Sequence, residues 1–535
     1  MQDEAAVVVG AGHNGLVAAI LAAQAGWPVT VLERSDHPGG ASVGAAVFDG
    51  HPVRLSQYSY LVSLFPEELV DRLGIELALA PRTVASYTPV WRGGMARGLL
   101  VQRDPGPRTR DSFRELTGSD AEFAAWQQFY GELRNMAAAV APVLMGPLRT
   151  RSEVRAAVVA AAGEAIWHDV VEAPIGEAIT RRFADDAVRG VIATDALIGT
   201  HASLFDPSLL ANRCFLYHLI GRGSGEWLVP VGGMGSLADA LVARARALGV
   251  QIRCGTEVTA VQEDDGGVTV QCAGGEGAAV LRAGALLAAV APATVDGWLG
   301  RATPPPEGAQ LKVNMLLSRL PRLASGDDPE VVFAGTTHLA EGFDELERAY
   351  RDSSAGRLPD PLPCEIYCHS LADPSIMTGG PGHTLTLFGL HTPASLFRAD
   401  TQSARDAARD AALAGALESL QHHLAEPLRD CLAVDAHGIP CVQAASPLDV
   451  EASVGMPGGH IFHGDLAWPW RTDDEPADTA ARRYGVEVVG CRRILLAGAG
   501  TRRGGGVSGL GGLAAVEALL AGAARGDATV THSLA

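Results

Sequence analysis

Apolar positions change their period along this chain, and each change marks an element. Residues 5–9, AAVVV, are apolar without a break, as a parallel strand covered on both faces would be. Gly10 to Gly15 interrupt the run, helical spacing follows to about Gly26, and PVTVLE closes a second strand at Glu33. That order is a βαβ opening. The Ala-rich stretches 112–144 and 151–166 carry helical spacing, and SLADALVARARAL (236–248) predicts a helix after the Gly232–Gly235 turn. VQIRCG, EVTAVQED and GVTVQCAG follow as strands. RATPPPEGA (301–309) reads as a linker. Beyond it LKVNMLLS and HTLTLFGLH predict strands, 402–425 a helix, ILLAGAG (494–500) a strand entering a Gly-rich turn, and Gly509–Ala524 a final helix.

Length and charge narrow the possibilities. At ~150 residues per domain, 535 residues suggest roughly three to four units, fewer if domains interleave. The 47 % hydrophobic and 19 % charged content belongs to a soluble globular chain. A net charge of −19 repels phosphate backbones, so nucleic acid is not an expected partner. The start has no basic n-region, and the most apolar stretch, Leu510–Ala524, is short and broken by Glu517. A cytoplasmic protein without a transmembrane segment is expected, which leaves peripheral membrane contact open. The eight cysteines are scattered, as reduced thiols would be. Cys364, Cys368 and His369 lie in a strand-like segment without a fourth ligand, so no metal is expected.

Chemistry enters at Gly10-Ala11-Gly12-His13-Asn14-Gly15, a GxGxxG placed between strand and helix. Gly10 permits the tight turn, Gly12 lets backbone reach a pyrophosphate, and Gly15 lets helix and strand pack closely. His13 and Asn14 stand inside the same loop. Glu33, 18 residues after Gly15, suits the ribose hydroxyls. Arg34 and a second glycine pair, Gly39-Gly40, then follow. A nicotinamide fold does not need that pair; a flavoprotein does, because its chain passes the pyrophosphate twice.

Together, VVVGAGHNGLVAAILAAQAG and VLERSDHPGG resemble the FAD-binding opening of the phytoene-desaturase-like flavoproteins. Within that family the chain is most similar to the subgroup of pyridine nucleotide-disulfide oxidoreductase domain-containing protein 2. VPVGGMGSLADALVARARALGVQIRCGTEV, DPSIMTGGPGHTLTLFGLHTP, SPLDVEASVGMPGGHIFHGDL and ILLAGAGTRRGGGVSGLGGLAAVEALL carry the resemblance across most of the chain. It implies an α/β fold: a discontinuous, Rossmann-like FAD-binding domain (1–75, 226–300 and 490–535) interleaved with an α+β substrate domain (76–225 and 301–489). It implies FAD contacts at Gly10, Gly12, Gly15, Glu33, Arg34, Gly39 and Gly40. It adds an adenine contact at Val258, and a flavin loop of Gly498 and Gly504–Val507, which includes Gly505 and Gly506. The sequence departs from the family pattern at Ala499 and at Arg502-Arg503, where the subgroup usually has His-Pro. Those arginines are expected in solvent or supporting a phosphate.

Lys312 is the only lysine; the other 42 − 1 = 41 basic residues are arginine. The resemblance implies that it stands near the flavin, as a catalytic residue. His460, His463 and Asp465 are a weaker acid/base or metal set, and Asp195 and His201 are candidate cavity residues. The expected reaction is dehydrogenation or desaturation of a largely apolar small molecule, isoprenoid-like or a secondary metabolite, with hydride passing to flavin N5. No second dinucleotide motif is present, so electrons are expected to leave to oxygen, a quinone or a carrier rather than arrive from NAD(P)H. The competing readings are a redox-neutral isomerase, an amine-oxidase-like enzyme and a flavin-bound scaffold. With 5 % aromatic residues, no ring-walled cavity is expected.

Overall fold

A computed structural model describes residues 5–223, 225–274 and 278–525. The AAVVV run forms the Ala6–Val9 strand at the centre of a five-stranded parallel sheet. The order is Ile494–Leu496, Ala285–Ala288, Ala6–Val9, Val29–Leu32, Gln251–Arg253. Its unbroken apolar character has a direct cause. Ala6 and Val8 pack into a core with the helices His13–Gln24, Gly235–Ala247 and Leu510–Arg525, while Val7 and Val9 face Val258, Val261, Val268 and Val270 of an antiparallel three-stranded layer. Both faces are covered, so every side chain is apolar.

A seven-stranded sheet forms the second layer system, in the order Val442–Ala445, Leu311–Leu317, His383–Gly389, Cys364–Tyr367, Thr336–Leu339, Val84–Arg92, Met95–Gln102. All pairs are antiparallel except Thr336–Leu339 with Val84–Arg92. Lys312 therefore sits on an interior strand, opposite Phe388 on one side and Ala445 on the other.

Two expected helices are broken. The 112–144 stretch is Pro107–Thr117 followed by Ala121–Val140 and a 3-10 turn, because Gly118 (φ 80°) ends the first helix in the left-handed conformation. Similarly, Arg151–Ala162 stops at Gly163 (φ 91°) before Glu164–Trp167. No helix among the described residues is long and apolar enough to cross a membrane.

Candidate functional site

The C-terminal end of the Ala6–Val9 strand turns directly into the first helix. The Glu33 carboxylate accepts hydrogen bonds from the Ala11 N–H (2.8 Å) and the Ser35 N–H (2.9 Å), fixing the loop against the second strand. The Gly39 N–H donates to the Ala11 carbonyl (2.9 Å), so the second glycine pair closes over the first loop. The helix starts at Gly12 without a side-chain cap. Its first-turn N–H groups are left for an anion. A Cβ on Gly15 would overlap the Gly10 carbonyl oxygen, whereas a Cβ on Gly12 would project into nearly open space, nearest Gly40 Cα at 3.9 Å.

A cavity of about 680 Å³ opens at this loop. Gly10, Gly12, His13, Asn14, Gly15, Glu33, Arg34, Gly40, Val258, Lys312, Gly505, Gly506 and Val507 all reach its wall. Three expected contacts do not: Gly504 packs against the Tyr217 ring, and the other two are Gly39 and Gly498. Gly39 lies behind the wall, where a Cβ would strike Val43; Gly498 packs against Ala289 and Val290, and its carbonyl touches the position a Cβ of Gly511 would take. These two glycines let backbone pack closely. Arg34 reaches the wall but donates to the Ala452 carbonyl (2.8 Å), tying down the Pro447–Val454 helix.

Further from the loop the wall becomes aromatic. Tyr60 stacks near Tyr367 (4.6 Å between centroids) and Phe388 (4.3 Å), and His218 stacks on Trp227 (5.0 Å). The expectation of a cavity without rings is thus corrected: Tyr60, Tyr217, Trp227 and Phe388 reach its wall. Lys312 is 4 % exposed, and its Nζ has no hydrogen-bond partner. It lies 4.3 Å from the Phe388 ring centroid and 5.8 Å from that of Tyr60. Burial holds its pKa well below the usual lysine range. Asn14 Oδ1, both side-chain polar atoms of Gln310 and His463 Nδ1 are likewise buried without partners, and these three residues line the cavity with Lys312. Such a concentration of orphaned polar atoms is what a bound polar group would satisfy. His13 bridges the two glycine loops: its Nε2 donates to the Gly506 carbonyl (3.2 Å) and its Nδ1 accepts from Ser42 Oγ (3.2 Å). Burial lowers the His13 pKa to about 4, so the ring is neutral at pH 7.

The weaker candidates separate. His463 reaches the cavity, His460 Nδ1 accepts from the Phe462 N–H (3.2 Å), and Asp465 is exposed, so these three do not converge on one point. His201 bonds Ser353 Oγ (2.8 Å) and lines neither this cavity nor a second one of about 390 Å³, whose wall includes Asp195. Cys364 and Cys368 are buried, bonded to the Leu362 carbonyl and paired with Ser370 Oγ. Arg503 corrects another expectation. It is 0 % exposed and donates to the carbonyls of Val143 (2.8 Å) and Gly146, away from the cavity. Arg502 pairs with Glu475 (2.8 Å). Sequence reasoning did not single out Gln310, Tyr60 or Phe388. Gln310 stands just before the Leu311–Leu317 strand, two residues from Lys312, and both reach the cavity wall; that spacing was an available signal.

Comparison with known proteins agrees with this geometry. The model of the family described as flavin containing amine oxidoreductase matches residues 15–316, more than half of the chain. An uncharacterised protein of Mycobacterium tuberculosis is 46 % identical over 532 residues, covering 97 % of each chain. Pyridine nucleotide-disulfide oxidoreductase domain-containing protein 2 of Rattus norvegicus is 28 % identical, covering 95 % of this chain and 91 % of that one. The 4,4'-diapolycopene oxygenase of Methylomonas sp. is 26 % identical over about half of each chain (49 % and 51 %). Among solved structures, an A394C mutant of putrescine oxidase aligns with a TM-score of 0.57 at 17 % identity, covering 97 % of this chain and 98 % of that one. That last likeness is one of fold.

Proposed function

This chain belongs to the flavin-containing amine oxidoreductase family and is an FAD-dependent oxidoreductase, and from that premise we propose that it dehydrogenates a small molecule whose reacting carbon is apolar. FAD, when bound, supplies the hydride acceptor. The residues present fit it: an uncapped helix N-terminus at Gly12, a cradle that a Cβ would fill, and orphaned polar atoms along the wall. Gly12 and Gly40 would bring backbone to the pyrophosphate, Glu33 and Val258 would hold the adenosine, and Gly505–Val507 would meet the ring system, with Gly15 letting the helix pack close to the loop. Segments 1–75, 226–300 and 490–535 would form the FAD-binding part, a division supported by the origin of the five parallel strands.

The observation that carries the reading is Lys312 Nζ, buried and unpartnered in the cavity wall. As a free base it accepts at Nζ the proton that leaves the substrate with the hydride. The Phe388 and Tyr60 rings then stabilise the ammonium by cation–π attraction. The rings also exclude water, and they hold the reacting carbon in an apolar setting. Electrons leave to oxygen, a quinone or a carrier. Anaerobic bleaching of the yellow holoprotein by candidate substrates tests the reading, with Lys312→Met retaining FAD but slowing bleaching at least tenfold. Rapid bleaching by NADPH alone, or an unchanged rate in the variant, would count against it. The family match favours a second reading, oxidation at a carbon beside nitrogen, which product analysis separates from formation of a C=C bond.

A further inference from the structure

The cofactor cavity does not end at the aromatic wall. The second chamber shares Tyr60, Leu61, Ile198, His218 and Trp227 with it, and its opposite end reaches the exposed Arg103, Asp104 and Arg134. It therefore runs from the surface to the ring-lined end of the first cavity. Val84, Trp126, Leu133 and Val191 give it an apolar side. Its polar lining includes Asp195, in the Thr194–Ala196 turn, and Glu365, on the Cys364–Tyr367 strand.

Neither carboxyl is ion-paired with an arginine or lysine among the described residues. Glu365 accepts from Thr194 Oγ1 (3.0 Å) and the Tyr367 hydroxyl (2.6 Å). The neighbouring His338 directs Nδ1 to Glu341 (2.7 Å) and stands 3.8 Å from Glu365, and its burial disfavours the charged form. Arg82, the arginine in this part of the lining, is already engaged: Nε donates to the Trp227 carbonyl (3.2 Å), Nη1 donates to Thr336 Oγ1 (2.9 Å), and the guanidinium lies over the Tyr367 ring. Burial raises both carboxyls to about 7, with Glu365 adding to the rise at Asp195 and Glu341 to the rise at Glu365. Two carboxyls facing one guanidinium, itself engaged elsewhere, leave an acidic excess in a chamber with room for a ligand.

We propose that this chamber is the passage and seat of the substrate, and that it selects an amphiphile whose apolar end reaches Lys312 and whose remote end carries an ammonium group held by Asp195 and Glu365. The inference rests on the reading above, in which oxidation occurs at the Lys312 end of the first cavity. It makes the oxidised carbon and the charged group separate features of one molecule.

The test uses FAD-loaded protein and three eight-carbon probes: n-octylamine, 1-octanol and octanoate. Binding is read from the flavin absorbance difference spectrum and from calorimetric titration, neither of which needs turnover. Octylamine is expected to bind at least tenfold more tightly than octanol or octanoate. Asp195→Asn is expected to lower octylamine affinity at least tenfold, leaving FAD content and octanol affinity unchanged. Octanol or octanoate binding as tightly as octylamine overturns the proposal, as does undiminished octylamine affinity in the variant. The probe series on unaltered holoprotein decides the question even if the variant misfolds. Selective octylamine binding without flavin bleaching by any substrate supports the chamber and counts against the oxidation reading; an active but unselective holoprotein overturns the chamber alone.

Discussion

His13 and Gly506 are 493 positions apart in sequence, yet the imidazole Nε2 of one lies 3.2 Å from the carbonyl oxygen of the other. The contact joins the N-terminal glycine loop to the C-terminal one. The carbonyl can only accept, so Nε2 carries the proton and Nδ1 faces Ser42. Removing the ring removes the side-chain hydrogen bond that holds the Gly506 carbonyl. His13→Ala is expected to weaken FAD binding about tenfold, the worth of one buried hydrogen bond of ~1.4 kcal/mol. His13→Gln, which can still donate, should recover part of it. Fluorescence titration of the apoprotein with FAD measures both.

Glycines twelve and fifteen make opposite demands. At Gly15 a side chain collides with the Gly10 carbonyl, so Gly15→Ala should lower thermal stability and lose FAD together. At Gly12 a Cβ meets little protein but enters the space offered to a ligand. Gly12→Ala should leave the apoprotein melting temperature unchanged while lowering FAD affinity at least tenfold. Equal FAD affinity in Gly12→Ala and the parent would remove this loop from the cofactor site.

Lys312 allows a test of charge against proton transfer. An arginine at 312 keeps a fixed positive charge and cannot become a free base. If proton acceptance at Nζ is the role, Lys312→Arg should bleach as slowly as Lys312→Met, with FAD retained in both. Recovery of the parent rate by arginine would point to charge alone. Stopped-flow measurement of flavin reduction under anaerobic conditions distinguishes the two.

Arg503 should prove structural. Its guanidinium satisfies the Val143 carbonyl, in the 3-10 turn Ala141–Leu144 that follows the Ala121–Val140 helix, and the Gly146 carbonyl just beyond it. Arg503→Met leaves both acceptors buried and unpaired, at a cost of about 3 kcal/mol. Denaturant unfolding should show that loss, while flavin reduction in the folded fraction stays within twofold.

These residues also show what the sequence could reveal. The βαβ opening was legible because AAVVV, the glycine spacing and Glu33 fall within one contiguous stretch, where local pattern and tertiary role coincide. Lys312 was legible as chemistry but not as geometry. Its burial depends on Leu311–Leu317 lying between two other strands, and those strands come from residues 383–389 and 442–445. Of the second chamber only Asp195 was legible, as a candidate cavity residue, since Arg82, Asp195, His338 and Glu365 belong to four separated segments. Arg503 misled because a hydrophilic side chain in a glycine-rich run suggests solvent, and only the fold supplies its two carbonyl partners. Gly93-Gly94 marks the 84–102 hairpin, but Pro89, Arg92 and Arg97 obscure the alternation of its strands.

His391 supplies a pH prediction with a definite sign. It is 1 % exposed, and neither ring nitrogen has a partner. Burial lowers its pKa from 6.5 to about 3, and the neighbouring His201 pushes the same way. Above pH 6.5 the ring is neutral in both folded and unfolded chains and costs nothing. As pH falls below 6.5 the unfolded chain takes up a proton that the folded chain refuses, so stability is lost progressively toward pH 3. At pH 5 that loss is about 2 kcal/mol, from roughly 1.4 kcal/mol per unit. His391→Leu removes both the titration and the unpaired nitrogens; the positive φ of 52° strains either side chain. The variant should therefore gain about 2 kcal/mol on the parent between pH 7.5 and pH 5, whatever its stability at pH 7.5. Parallel urea unfolding curves at the two pH values measure the difference, and a gap that does not change with pH would show that His391 is already solvated in the folded chain.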